Sequence, residues 1–301
     1  MTRERSSLHL ADWLGGEHHG DECRWTQLAT LDEAGPEDLS FYIGAGTVQS
    51  AAGTLLVKHP IPGRTCVVVN DPKLAFIRVI ERMFPVEHAA FIHPSAEVDA
   101  SAFVHATATI HAGVVVMAGC TVGPRSVIYP RAVLYPNTVV GSDCVLHAGC
   151  VLGADGFGFH PTADGLVRVP HRGRGVLEDQ VVIGAYATID RAFLGETRVG
   201  KATKIDNLVH VGHNCRLGEG VVIAAQTGLS GSVKVDDHVV MGGQVGVVEH
   251  THIGKQARIG AQSGVTRDVD PGSAVLGTPA DDAMKMKRLY VRLRQRSLKD
   301  D

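Results

Sequence analysis

Two histidines, His213 and His250, stand near an Asp206–Asn207 pair and a glycine at Gly231 in the C-terminal half of the chain. Histidine titrates near neutrality, so a well-placed imidazole can take a proton from an attacking amine or hydroxyl. Two other chemistries compete for these residues. Cys215, two positions past His213, suggests a thiol–imidazole pair, and His210, His213 and His250 suggest a three-histidine zinc site. Which of these is possible depends on the backbone that carries the side chains.

That backbone is a repeat. Every sixth residue is aliphatic from Ile92 to Leu152, and the pattern returns at Leu177, Ile183 and Ile189. It then slips by four residues and runs from Val199 to Val265, with Met241 among its members, for 26 hexads in all. The residue two places earlier is usually small (Ala96, Ala102, Ala108, Cys120, Ala132, Cys144). Two places apart on a strand is one face, so both residues point inward. The place after the aliphatic is often Gly, Asp or His, which suits a tight turn, Gly most readily at positive φ. The register resembles that of hexapeptide-repeat proteins, a resemblance that implies three hexads to a triangular coil, and about nine coils at ~4.8 Å each then make a prism about 40 Å long.

The register then sorts the candidates. Residues 18 apart lie one coil apart on the same side, which relates His213 to Gly231. His250 falls on the same edge two coils beyond His213, within about 10 Å of it by the strand spacing. Cys215 belongs to the inward small column with Cys120, Cys144 and Cys150, which makes it a packing residue. His210 precedes the inward Val211 on another part of the turn, and no H-x4-H pair lies on the edge, so zinc is disfavoured. No G-x-S-x-G elbow is present.

Composition agrees with a thin prism. Of 301 residues 35 are glycine and only 5% aromatic, while 44% are hydrophobic. Glycines do not fall at every third place, which excludes collagen, and charged residues at 20% argue against disorder. A net charge of −3 gives no reason to expect nucleic acid. No apolar run is long enough to span a membrane, the start lacks a signal-peptide core, and the cysteines form no C-x-x-C pair. A cytoplasmic protein with reduced thiols is expected.

Three regions follow. Residues 1–88 read as a small α/β domain, with helices over Leu8–Leu14 and Pro72–Phe84 and strands over Leu39–Tyr42 and Thr65–Asn70. Leu74, Ile77, Ile80 and Phe84 supply the second helix's apolar spacing. Residues 89–275 hold the coils, interrupted by a long excursion from Gly153 to Gly175 that is expected on one face. Residues 276–301 read as a basic helix.

Four segments carry a more specific resemblance: GADGFGF (153–159), IGAYATIDRAFLGETRVG (183–200), KIDNLVHVGHNCRLG (204–218) and GGQVGVVEH (242–250). With LADWLGGEHHGD near the N-terminus and the basic C-terminal helix, they resemble the N-acyltransferases of lipid A synthesis that act on UDP-3-O-acyl-glucosamine. The resemblance covers essentially the whole chain. It implies a left-handed parallel β-helix, packed as a homotrimer with sites between neighbours. It implies that His213 is the general base, that Asp206 orients it, that His250 is a second active-site histidine and that the Gly231 N–H faces the oxyanion.

The resemblance also implies direct transfer without an acyl-enzyme and without a cofactor or metal. The 3-hydroxyacyl chain arrives on the phosphopantetheine of acyl carrier protein. That partner is acidic, so Arg288, Arg292 and Arg294 are expected to receive it, with trimerisation as the helix's competing use. Phe41, Tyr42 and Asn207 are expected to hold the sugar nucleotide. The family holds uracil with a Phe, an Asn three places on and a Tyr three further, but Gly44 and Thr47 occupy the last two places here. Tyr42 is the candidate replacement ring. DRA at 190–192 stands for the usual DRG. An acetyl-CoA-dependent hexapeptide acetyltransferase, a carbonic anhydrase of this fold and a non-catalytic solenoid are the competing readings.

Overall fold

The computed structural model describes residues 5–44, 48–86 and 89–297, with side chains to residue 293. The chain divides into two units, Met1–Glu87 and His88–Asp301.

In the first unit, α1 (Ser7–Leu14) and α2 (Pro72–Met83) accompany a five-stranded sheet. Its strands are β1 (Glu17–His19), β2 (Gln27–Leu28), β3 (Asp38–Tyr42), β4 (Thr54–Val57) and β5 (Cys66–Val68), in the order β1-β5-β4-β3-β2. Local sequence sets the helix ends. Ser6 caps α1 through the His9 N–H, and Asp71 caps α2 through the Leu74 N–H with Pro72 at the first helical position.

The face of α2 differs from expectation. Ala75 and Val79 are buried with the sheet core, whereas Leu74, Ile77, Ile80 and Phe84 are exposed. The helix therefore meets the core with Ala75, Phe76, Val79 and Met83 and leaves the expected stripe outside. Strand β4, buried along its whole length, gave no alternation to read in the sequence.

The second unit is the predicted stack of short parallel strands. Three sheets run along it, with the first face beginning at Phe91–Ile92, the second at Glu97–Val98 and the third at Phe103–Val104. Pairing holds the 18-residue step, as in Val211 opposite Leu229 and Leu229 opposite Val247. The aliphatic column and its small partner fill one core, including Cys120, Cys144, Cys150 and Cys215. All six cysteines are free.

Glycine's role at the corners differs from expectation. Gly123, Gly141, Gly184 and Gly200 follow the inward aliphatic, yet positive φ falls two places later, at residues such as Asn137, Asp143, Tyr186 and His250. Glycine serves there for proximity. A Cβ on Gly123 would lie 2.6 Å from the carbonyl carbon of Gly141 in the next coil.

Both breaks in the register occur at one corner. After Val151–Ala154 on the second face, the chain makes the antiparallel hairpin Phe159–Thr162 with Gly165–Arg168 and returns at Arg174–Leu177 on the third face. One coil later, after Thr188–Asp190, residues 191–195 make the four-residue slip before Glu196–Val199. The next coil's corner at this position carries His213. The unit ends in α3 (Ala283–Ser297).

Candidate active site

His213 stands on the corner that follows His210–Val211, and the two insertions pack beside it. The His171 ring, from the excursion, meets the His213 ring edge-on at 5.2 Å between centroids. Gly156 lets the GADGFGF backbone pass over both rings. A Cβ there would lie 2.7 Å from His171 Nε2 and 2.7 Å from His213 Cβ. On the other side Gly231 lies against the imidazole edge, where a Cβ would sit 2.6 Å from His213 Nε2. Any side chain at either position would displace the histidine.

The neighbour at the other ring nitrogen is Asn214. Its Oδ1 accepts the Phe193 N–H at 2.8 Å, and its Nδ2 donates to the Leu194 carbonyl at 3.1 Å. These two backbone groups of the four-residue insertion fix which end of the amide is oxygen. That oxygen lies 3.2 Å from His213 Nδ1, so Nδ1 carries the proton and Nε2 keeps its lone pair. Nε2 is thus the basic atom, and it faces Gly231. The Gly231 N–H makes no hydrogen bond among the described residues, while the adjacent Ser230 and Ser232 N–H groups bond to Val247 and His213 carbonyls.

A cleft of about 610 Å³ opens in front of this edge. Its floor is Leu229, Val247 and Gly246, its rim includes Phe157 and Glu249, and its far wall holds His210 and Asp190. Asp190 is 7% exposed, and burial, with the Asp155 charge adding to it, pushes its carboxyl up to about 7. Its Oδ2 lies 3.7 Å from His210 Nε2, and His210 Nδ1 meets Thr188 Oγ1 at 2.8 Å. Burial, with His213 adding to it, pulls the His210 imidazole below its usual value. Burial does the same to His171, whose Nδ1–H donates to the Val169 carbonyl at 3.0 Å.

The expected residues are only partly gathered here. His213 and Gly231 meet as the register requires. His250 shares their edge, where its N–H donates to the Gly231 carbonyl at 3.2 Å, but it is one place along the turn and does not line the cleft. It continues the left-handed column of Asn214 and Ser232, and Glu249 takes the place 36 residues beyond His213. Asp206 and Asn207 are at the preceding corner, between the first and second faces. They line a separate groove of about 620 Å³ with His147 and Lys204. Asp206 accepts the Asn207 N–H at 2.7 Å, and the Asn207 Oδ1 accepts the Ala185 N–H at 2.7 Å. Within one chain Asn214, and not Asp206, orients His213. Sequence reading passed over Asn214, Asp190 and His171. The signal for them was the register broken twice in the two coils preceding His213.

Cys215 points into the core, and burial raises its thiol to about 12, which removes the thiol–imidazole pair. Among the described residues no group of three or more His, Cys, Asp or Glu side chains is placed to hold a metal ion.

In the first unit, Phe41 and Tyr42 go to opposite sides of β3. Phe41 packs in the core under α2, its ring 5.0 Å from that of Phe76, and Tyr42 packs in the core on the other side. Strand alternation forces this, so Tyr42 does not replace a ring beside Phe41. The Tyr42 hydroxyl end instead lies over Gly44, and Thr47 lies outside the described residues. On α3, Arg288 and Arg292 are exposed and the Arg294 side chain lies outside the described residues.

Comparison with known proteins agrees with this architecture. The family described as Bacterial transferase hexapeptide (six repeats) matches residues 119–154 and 196–231, on either side of the two insertions. The UDP-3-O-acylglucosamine N-acyltransferase of Campylobacter lari is 42% identical over 89% of this chain and 90% of its own length. That of Methylorubrum populi is 41% identical over 50% of this chain, and the match spans 43% of that relative. Among solved structures, the UDP-N-acetylglucosamine acyltransferase of Francisella novicida superposes with a TM-score of 0.59 at 26% identity, over 63% of this chain and 68% of that one.

Proposed function

The chain belongs to the UDP-3-O-acylglucosamine N-acyltransferase family, and we propose that it transfers a 3-hydroxyacyl chain from acyl carrier protein to the 2-amine of UDP-3-O-(3-hydroxyacyl)-glucosamine. The observation that carries the reading is the His213 edge. An imidazole with Nδ1 bound to Asn214 presents a basic Nε2 at the mouth of an apolar cleft. The amine attacks the thioester carbonyl, and Nε2 takes the amine proton as the C–N bond forms. The Gly231 N–H stabilises the oxyanion of the tetrahedral intermediate. Collapse of the intermediate breaks the C–S bond, and the imidazolium returns the proton to the departing thiolate. No acyl-enzyme forms, and no cofactor enters.

The cleft floor suits an acyl chain. Gly228 and Gly246 follow one another on the second face beside His210, and a Cβ on either would meet open space. The two glycines extend the apolar floor of Leu229 and Val247 into a trough. Three parts of the reading rest on the family. The protein acts as a homotrimer, in which the Asp206–Asn207 groove of one subunit faces the His213 corner of the next. Asp206 then serves the histidine of a neighbour. Carrier protein docks on the basic side of α3, and the reaction takes place in the cytoplasm, where free thiols such as these persist.

The test is a transfer assay with hydroxyacyl carrier proteins of varied chain length and UDP-3-O-acyl-glucosamine. His213→Ala should lower kcat by roughly 10²–10⁴-fold. Unchanged activity in His213→Ala overturns the assignment of the base. Turnover with acetyl-CoA in the absence of carrier protein overturns the donor.

A further inference from the structure

In the N-terminal unit, α1, α2 and the segment at Trp25 enclose a cavity of about 250 Å³ that the acyl-transfer chemistry does not use. Its wall carries Trp13 and Trp25, the only two tryptophans of the chain. The Arg82 guanidinium lies 4.6 Å over the Trp13 ring, and the Arg5 guanidinium 5.9 Å from the Trp25 ring. Among the described residues no acidic side chain lines the cavity. Trp25 is 4% exposed, and its Nε1–H is buried with no hydrogen-bond partner among the described residues.

The Trp25 Nε1–H is closed off from the cavity, so the polar character of the wall comes from its two arginines. Among the described lining residues the charged donors are two guanidinium groups, and the side chains with acceptor capacity are His9 and, weakly, the Met83 thioether. The rest is apolar, from Leu10, Val79 and Met83. The complement of such a wall is an anion with an apolar body, small enough for a cavity at the low end of ligand sites. A bare phosphate would leave the apolar wall uncovered, and an alkyl cation would face two like charges.

We propose that this cavity binds a small amphiphilic carboxylate, its head at the Arg5 and Arg82 guanidinium groups and its tail against Leu10, Val79 and Met83. The site shares no residue with the His213 cleft, so its failure leaves the acyl-transfer reading intact.

Both tryptophans sit in the wall, so intrinsic fluorescence of the full chain reads this cavity directly. Titration with sodium octanoate should give a saturable change in tryptophan emission, and octylammonium and inorganic phosphate should give none. Arg82→Gln should weaken octanoate at least tenfold with unchanged circular dichroism. If that variant alters the circular dichroism, Arg5→Gln carries the same expectation. No saturable response to octanoate overturns the site. An equal response to octylammonium overturns it in favour of apolar adsorption, and an equal response to phosphate in favour of a plain anion site. Unchanged octanoate affinity in a folded arginine variant overturns it as well.

Discussion

At His213 Nδ1 stands an amide oxygen where a carboxylate was expected. An amide oxygen fixes the tautomer and ring orientation without adding a full negative charge to the site. The charge nearby is Asp190, and its state depends on pH. Its carboxyl is pushed from an ordinary 3.8 up to about 7, chiefly by burial. The folded protein thus holds a proton that the unfolded chain releases. That contribution to stability is complete below 3.8 and is lost as pH rises through about 7. Thermal midpoints should therefore fall between about pH 4 and pH 7 in the parent, and Asp190→Asn should flatten the decline. Equal slopes in the two proteins would remove Asp190 from this role. His213 was readable from its motif and Gly231 from the 18-residue step. Asn214 was not, because its partners are backbone groups of Phe193 and Leu194, contacts that no residue pattern encodes.

Among the elements, the two insertions and α3 matter most. The hairpin excursion and the four-residue slip leave the prism at the same corner in successive coils, and they wall the coil that carries His213. Their loop geometry is free of the hexad constraint, so it can bring His171 and Gly156 onto the histidine. The register told where the coils break but not what the broken segments reach. Helix α3 presents two faces of interest. Lys285, Arg288 and Arg292 follow helical spacing, and Leu289, Tyr290 and Leu293 are exposed apolar residues. Reversing Arg288, Arg292 and Arg294 to Glu should raise the KM for the acyl carrier protein donor at least tenfold and leave the KM for the sugar nucleotide unchanged. An unchanged donor KM with a loss of trimer in sedimentation would assign the helix to assembly instead.

For the whole molecule, the separation of Asp206 from His213 within a chain has a direct test. If Asp206 of one subunit serves His213 of the next, His213→Ala and Asp206→Ala are each defective yet complement one another. Every mixed trimer then contains one intact site, so random co-assembly should recover about a quarter of parental activity. Mixed trimers that stay inactive would place both residues' roles within a single chain.

The period-six pattern by itself determined the stack of short strands, the inward column and the exclusion of Cys215, because a strand's side chains alternate strictly and one slipped residue would turn a column outward. It also set His213 and Gly231 on one edge, since the coil step is constant wherever the register holds. Only the tertiary structure decided which neighbour orients the imidazole, which carboxyl is buried beside it and which face of α2 meets the sheet. Those answers depend on contacts between segments far apart in the chain, formed where the repeat is interrupted or absent. There spacing no longer predicts proximity, and packing alone chooses the partners.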